Sequence, residues 1–221
     1  LAFLGKRAIP GIERVGADSY ERVVGPRAAS AWLRVTADDK RPELRLELQC
    51  GDPRLIPGIV RGVRRLFDLD ADLAAVHAVL KPSPILAKAI RRRPGLRVPG
   101  AWDGFELAVR AVLGQQVSVA AATTMARRLV DRYGAVRADA PAGLDRAFPS
   151  PEDVRDAPLE ALGLPASRAN TIRELAKAVI EGRIDFGVGQ GLDEFIERFI
   201  TLPGIGRWTA EMVLIFHGMR A

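Results

Sequence analysis

The chain has 221 residues, of which 48% are hydrophobic, and this is enough for one large or two small domains with a sizeable core. A net charge of +6 and a pI of about 10.1 favour a polyanionic partner, although a basic composition alone does not identify one. The single cysteine, Cys50, excludes a disulfide framework and a four-cysteine metal or iron–sulfur site within this chain, and no apolar run approaches the length of a membrane span, so we expect a reducing cytoplasmic location.

Residues 1–80 are predicted to form a small α+β domain. Alternation of apolar and polar residues predicts three strands, at Ser19–Val24, Ala31–Thr36 and Glu43–Cys50. A hairpin turn is predicted at 38–40. The period becomes helical over 55–67, where the predicted inward residues are Ile59, Val60, Val63, Leu66 and Phe67. A small antiparallel sheet with a helix laid across it fits this pattern.

Residues 81–221 have helical periodicity and are predicted to form an all-α domain. Asp103 is placed to cap a helix that runs to Leu113, and Glu106, three residues later, completes a capping-box pattern. A second helix begins after Ser118.

A tight corner, Gly114–Ser118, joins these two helices and contains two glutamines. Gln115 and Gln116 are either surface polar residues or groups that face DNA bases, because an amide side chain both donates and accepts hydrogen bonds. The residues alone leave both interpretations open.

The stretch 192–217 predicts two helices joined by a glycine-containing hairpin. Apolar residues at helical spacing run from Leu192 to Ile200, and a second apolar helix starts at Trp208. In Leu202–Gly206 between them, proline cannot continue a helix, and two glycines permit geometry that a Cβ would forbid. Such a hairpin exposes N–H groups at a helix N-terminus, which is an anion site; the alternative is an ordinary turn between helices.

Several stretches, in order along nearly the whole chain, resemble one protein family. Residues 202–211 are similar to the helix–hairpin–helix of base-excision DNA glycosylases. The wider resemblance is to the alkylation-repair family of 3-methyladenine DNA glycosylase II, the AlkA type, and is carried by residues 3–4, 7–8, 65–69, 94–100, 110–115, 117–118, 161–164 and 202–210. It implies an N-terminal sheet domain resembling half of TATA-binding protein, followed by an α-helical glycosylase core.

The resemblance also implies the activity and the partner. Such enzymes flip an alkylated base, of the 3-methyladenine and 7-methylguanine class, out of double-stranded DNA and hydrolyse its N-glycosidic bond. Their hairpin grips a phosphate, which assigns DNA contacts here to Gly204, Gly206 and Thr209. The carbonyls that match Ile200, Leu202 and Gly204 are expected to hold a Na⁺ or K⁺ ion, and no other cofactor is implied. We expect a monomer associated with the nucleoid.

Trp208 stands where bifunctional relatives carry a lysine just after the hairpin. A lysine amine can attack the sugar and form a Schiff base, whereas indole cannot, so a monofunctional glycosylase without lyase activity is predicted. Trp208 is expected to line the base pocket, because a Trp face attracts a cationic alkylated purine; the alternative is that it packs in the core. Phe3 matches another aromatic pocket wall, and Met212 stands where the family often has tyrosine.

The corner after Gly114 matches the element that fills the hole left by the flipped base. Gln115 and Gln116 are therefore expected to contact DNA. Relatives often place leucine at the position of Gln116, so here the wedge would be polar, in contrast to the more usual apolar insertion.

The family's catalytic aspartate has no counterpart in this sequence and is expected beyond Ala221. Glu211 is the only acid after Trp208 and does not occupy the catalytic position. Because the chain also starts without a methionine, we expect both ends to be cut. The alternatives are a non-catalytic DNA-binding module, as part of an Ada-like alkylation-response regulator, and a glycosylase/lyase for oxidised bases, against which Trp208 argues.

Overall fold

The computed structural model describes residues 1–25, 31–38, 40–137, 139–187 and 191–217. Its N-terminal part is a four-stranded antiparallel sheet in the order β1-β2-β3-β4. The strands are β1 (Glu13–Val15), β2 (Ser19–Val24), β3 (Ala31–Ala37) and β4 (Leu44–Cys50). The three predicted strands are confirmed, whereas β1 is too short to leave an alternating pattern. The predicted turn at 38–40 includes Asp39, which lies outside the described residues.

Helix α2 (Ile56–Leu66) covers one face of this sheet. Its buried residues Ile59, Val63 and Leu66 pack against the apolar side chains of β2 and β3. Val60, predicted to point inward, is instead 39% exposed, because the buried stripe follows positions 59, 63 and 66. A short helix α1 (Ala2–Gly5) precedes the sheet.

The rest of the chain is helical. The elements are α3 (Leu73–Leu80), α4 (Pro84–Arg92), α5 (Gly104–Leu113), α6 (Val119–Tyr133), α7 (Pro151–Val154), α8 (Ala166–Ile180), α9 (Leu192–Phe199) and α10 (Arg207–His217). Short 3₁₀ turns lie at Pro53–Leu55 and Leu159–Leu162. Helix α5 is central to the core and contacts α6, α8 and α10. None of the helices in the described ranges is long and apolar enough to cross a membrane.

Two predicted caps fix the ends of the central helices. The Asp103 carboxylate accepts the Glu106 N–H at 2.9 Å, and the Ser118 hydroxyl accepts the Ala121 N–H at 3.2 Å. The predicted capping box at Glu106 is wrong: its carboxylate does not turn back to Asp103 but bonds Arg22 and Arg110. The charges of two arginines attract a carboxylate more strongly than one backbone N–H does.

Strand β2 is buried along its whole length because it lies between two layers. One face meets α2, and Val23 on the other face packs against Ala135, Leu144 and Ala147. The sheet is thereby attached to the helical part over a broad surface. The α+β fold class with a sheet followed by a helical domain is confirmed. The predicted domain boundary, at residue 80, falls at the end of α3 and stays a prediction.

Candidate functional site

The hairpin, residues 202–206, joins α9 to α10 in a geometry that only glycine allows. Gly204 has φ +77°, in the left-handed region. A Cβ added there would also lie 2.3 Å from the Thr171 hydroxyl oxygen on α8. The turn is closed by the Ile205 N–H, which donates to the Leu202 carbonyl at 3.1 Å. Backbone conformation and close packing therefore both require glycine at position 204.

The N-terminus of α10 presents free backbone donors. The N–H groups of Gly206, Arg207 and Trp208 have no acceptor among the residues that the structure describes. Thr209, predicted to contact DNA, is 4% exposed, and its N–H donates to the Gly206 carbonyl at 3.0 Å. The donors available to an anion are thus those of 206–208, at the positive end of an 11-residue helix.

Two of the three carbonyls predicted to bind a monovalent cation, those of Leu202 and Gly204, lie in the same turn, and the third belongs to Ile200 at the C-terminal end of α9. The Leu202 carbonyl accepts the Ile205 N–H, and the Gly204 carbonyl accepts the Gln115 side-chain amide at 3.0 Å. Because a carbonyl oxygen has two lone pairs, each keeps one for an ion. Across the described ranges, no group of three or more histidine, cysteine or acidic side chains could hold a metal.

The wedge corner, residues 114–118, lies against the hairpin. Gln116 is exposed and has φ +54°, one of two non-glycine residues in the described chain with a positive φ. Gln115 turns its amide inward, where Nε2 donates to the Gly204 carbonyl at 3.0 Å and to the Thr209 hydroxyl at 3.3 Å. Of the two glutamines predicted to contact DNA, Gln116 is the one whose side chain faces solvent.

A cavity of about 360 Å³ opens between the sheet domain and the helical domain. Trp208, Phe3 and Met212, the three predicted pocket residues, all line it. Trp208 is 65% exposed, so it is not packed in the core. Gly114 and Val117 also line this cavity, which places the wedge corner at its edge. The structure therefore brings together aromatic wall, wedge corner and hairpin.

Two neighbouring side chains pack against Phe3 in the cavity wall. The Arg7 guanidinium carbon lies 3.9 Å from the centre of the Phe3 ring. Phe216 stacks on the same side chain, with ring centres 5.8 Å apart and planes 16° apart. Phe3 and Phe216 form one aromatic pair in the wall, and Phe216 is a wall residue that the sequence did not single out.

Four charged side chains line the inner end of the cavity, and we call them the charge ring: Glu13, Arg22, Glu106 and Arg110, of which Arg110 is partly exposed. Arg22 donates to Glu106 at 2.7 Å and to Glu13 at 3.4 Å. Arg110 donates to Glu13 and to Glu106, each at 2.6 Å. Charges alternate around the ring, so each acid contacts both arginines and the net charge is zero.

Burial would raise the pKa of Glu13, but the Arg110 and Arg22 charges and hydrogen bonds from Arg110 and Tyr20 lower it to about 2. Burial would likewise lower the pKa of Arg22, and Glu106 is the main group that instead raises it. The Tyr20 hydroxyl donates to Glu13 at 2.7 Å. Glu13 therefore stays ionised at neutral pH, and both oxygens of each acid are occupied.

The sequence did not single out the charge ring, because its members come from β1, β2 and α5. The available signals were weak ones: Tyr20 and Arg22 inside a strand that ends in two valines, and Glu106 and Arg110 at i, i+4 beside an apolar stripe. Glu211, which the sequence did not assign a catalytic role, forms a surface ion pair with Arg207 at 2.8 Å.

Comparison with known proteins identifies the family. The AlkA N-terminal domain matches residues 1–103, and the HhH-GPD superfamily base excision DNA repair protein matches residues 109–213. The chain is 34% identical over 213 residues to DNA-3-methyladenine glycosylase 2 of Escherichia coli, covering 95% of this chain and 73% of that protein. The chain belongs to the AlkA branch of the HhH-GPD superfamily.

Other AlkA-type relatives differ in length. The chain is 35% identical to the "Probable bifunctional transcriptional activator/DNA repair enzyme AlkA" of Mycobacterium tuberculosis, over 95% of this chain but 42% of that protein. The solved 3-methyladenine DNA-glycosylase of Archaeoglobus fulgidus has the same fold, with a TM-score of 0.81 at 23% identity, covering 98% of this chain and 74% of that one. Membership of this family gives the chain the role of a DNA glycosylase in base excision repair, and its partner is DNA.

Proposed function

We propose that this chain recognises alkylated purines, of the 3-methyladenine and 7-methylguanine class, in double-stranded DNA for excision. The position of Trp208 carries the proposal. Trp208 is 65% exposed and lines the cavity. Its backbone N–H is one of the donors at the N-terminus of α10 that have no acceptor among the described residues. One residue thus connects a backbone anion site to an aromatic wall, and a flipped nucleotide needs both, one for a nearby DNA phosphate and one for the base.

The aromatic wall of the cavity suits a cationic base. An N-alkylated purine carries positive charge, and the face of a tryptophan attracts such a cation by about 0.5–2 kcal/mol. The charge ring has two acids and two arginines and adds no net charge, whereas Arg7 on the Phe3 ring is a further positive charge in the lining. The volume of about 360 Å³ falls within the range of about 300–1,000 Å³ usual for small-molecule sites.

Base release requires a carboxylate beside the sugar, because the bond breaks towards a positively charged, oxocarbenium-like sugar. Within the described part of the chain, the acids that line the cavity are Glu13 and Glu106, and both are held by two arginines. The arginines neutralise both carboxylates, so neither offers an unpaired negative charge to the sugar or to an attacking water. We therefore place the catalytic aspartate beyond Ala221, as the family resemblance implies. Trp208 cannot form a Schiff base, so water is the final nucleophile and no lyase step follows.

Three further parts of the proposal concern the surroundings of the site. A Na⁺ or K⁺ ion on the carbonyls of Ile200, Leu202 and Gly204 would add positive charge close to a bound phosphate. The Leu202 and Gly204 carbonyls each retain a lone pair, which supports this assignment. We further propose that the protein acts as a monomer and works at the nucleoid.

The second candidate function is a non-catalytic DNA-binding module, within an Ada-like regulator. A module that only binds needs no available carboxylate, so the pairing of both cavity acids with arginines is compatible with it. The match to 42% of a longer protein is also compatible with a fused regulatory part.

The experiment uses the full-length protein that contains this chain and a duplex treated with a methylating agent. We expect free 3-methyladenine and 7-methylguanine in the chromatogram, with no strand nicking at neutral pH. A folded protein that binds the duplex and releases no base would establish the binding module instead. Nicking, with a covalent adduct trapped by borohydride, would establish a lyase and overturn the argument from Trp208.

A further inference from the structure

We propose that Gln115 is a positioning residue that fixes the wedge corner against the phosphate-binding hairpin and does not itself contact DNA. This inference rests on the proposed function, in which the hairpin grips a phosphate and the corner enters the duplex. It reassigns Gln115, which the family resemblance placed among the DNA contacts.

The contacts of Gln115 run towards protein on both sides. Its Nε2 donates to the Gly204 carbonyl at 3.0 Å and to the Thr209 hydroxyl at 3.3 Å. The backbone carbonyl of Gln115 accepts a hydrogen bond from the Arg168 guanidinium at 2.8 Å. Both hydrogens of the side-chain amide therefore have acceptors in the hairpin and in α10, so this nitrogen has no donor left for a base.

Helix α8 supports the corner and the hairpin together. Arg168 holds the Gln115 carbonyl, and Thr171, one turn further along, lies directly beneath Gly204. Residues three apart share a face of a helix, so a single rigid surface carries both elements. The side chain of Gln115 closes the gap between them. The separation of hairpin and corner is thus determined by α8 below and by Gln115 above.

Gln116 is the residue whose position the contact between Gln115 and the hairpin would determine. It has φ +54°, a conformation that a non-glycine residue keeps only where its surroundings hold it, and its side chain is exposed at the edge of the cavity. Gly114 and Val117 on either side of the two glutamines line the cavity. A phosphate held at the N-terminus of α10 would therefore set where Gln116 enters the stack. Gln115 would fix the position of the wedge corner relative to the hairpin.

The test uses the 221-residue chain and DNA binding alone, so it does not depend on a catalytic aspartate. The probes are an intact duplex and the same duplex with a tetrahydrofuran abasic analogue beside 2-aminopurine, whose fluorescence rises when it unstacks. Gln115→Met keeps the side-chain length and removes both donors. We expect its Kd for the intact duplex to stay within about twofold, since the hairpin amides remain. We expect its preference for the abasic duplex to fall by about tenfold, with loss of the fluorescence rise, as two hydrogen bonds are removed.

The double variant distinguishes positioning from contact. If Gln115 acts through Gln116, then Gln115→Met adds nothing to Gln116→Ala, and the double variant binds the abasic duplex as Gln116→Ala does. If the losses of abasic-duplex affinity in the two single variants multiply in the double variant, Gln115 contacts DNA directly. If Gln115→Met keeps the preference for the abasic duplex, Gln115 does not position the wedge corner. Either result overturns the proposal.

Two controls complete the test. Thr209→Val removes one acceptor of the Gln115 amide with little change in shape, and we expect a smaller loss in the same direction; it serves as the test if Gln115→Met does not fold. No loss in a folded Thr209→Val, with Gln115→Met unfolded, would overturn the link. A folded wild-type chain without affinity for either duplex would overturn the proposed function itself.

Discussion

The charge ring makes a quantitative prediction about acid stability through Glu13. Glu13 lies in β1, accepts hydrogen bonds from Arg110 at 2.6 Å and from Tyr20 at 2.7 Å, and its side chain is 7% exposed. Substitution by glutamine keeps the shape of this side chain and removes its charge. The two arginines of the ring then share one carboxylate, that of Glu106. The loss of this charge should cost stability only where Glu13 is ionised.

The magnitude follows from the pKa of Glu13, which the ring lowers from its ordinary value of 4.5 to about 2. A folded-state pKa below the unfolded one stabilises the fold fully above pH 4.5, and this stabilisation is lost as the pH falls towards 2. The difference corresponds to about 3 kcal/mol, at about 1.4 kcal/mol per pH unit. Between pH 6 and pH 3, about 2 kcal/mol of it should disappear.

The assay is urea unfolding of the wild type and of Glu13→Gln at pH 6 and at pH 3. We expect Glu13→Gln to be less stable by about 3 kcal/mol at pH 6 and by about 1 kcal/mol at pH 3, because a protonated Glu13 resembles glutamine. The difference between variants removes the contribution of every other carboxylate. Glu160→Gln is the matched control, because Arg173 lowers the pKa of Glu160 to about 2 as well. The Glu160 side chain is exposed, so water screens its attraction to Arg173. The stability difference between wild type and Glu160→Gln should therefore change much less between pH 6 and pH 3.

A gap between wild type and Glu13→Gln that is the same at both pH values would refute the reasoning. It would mean that Glu13 is not held ionised by the arginines, and that its place in the cavity is one of packing only. The engagement of Glu13, used above to exclude it as a catalytic acid, would then also fail.

Three further predictions concern the site. Gly204→Ala should lower the unfolding midpoint and weaken DNA binding, because its Cβ would meet the Thr171 hydroxyl. Gly206→Ala, with nothing within 4 Å of its Cβ, should weaken DNA binding and leave the unfolding midpoint unchanged. Equal unfolding midpoints for the two variants would contradict this. In the full-length protein, Trp208→Ala should lower base release more than duplex binding, and an equal loss in both would assign Trp208 a structural role. DNA affinity should fall by at least tenfold from 50 to 200 mM salt, since phosphate contacts release counterions, and an affinity insensitive to salt would contradict the assigned hairpin contact.

Local patterns in the sequence were sufficient for the elements that position the site. The strands of the sheet, the caps at Asp103 and Ser118, and the two helices around the hairpin each depend on residues within one short segment. Periodicity and capping are local interactions, so a sequence displays them directly. The aromatic wall needed more, because Phe3 and Trp208 are 205 positions apart and only the family resemblance brought them together.

Where hydrogen bonds cross between elements, the sequence was silent or wrong. The spacing of Asp103 and Glu106 fits a capping box, yet Glu106 serves Arg22 from β2 instead. The resemblance assigns Gln115 to DNA, and the sequence did not show that its side-chain amide donates to the Gly204 carbonyl and to the Thr209 hydroxyl.

The sequence by itself thus determined which segments are strands and helices, that a glycine turn precedes α10, and that an indole occupies the position of a lysine. Tertiary structure alone decided which polar groups lack a partner among the described residues: the amides of 206–208 and the side chain of Gln116 do, whereas Thr209, Gln115 and the acids of the charge ring are engaged. The reason is physical. A buried polar group must find a partner, and the nearest one is set by how distant segments pack, which no short stretch of sequence records.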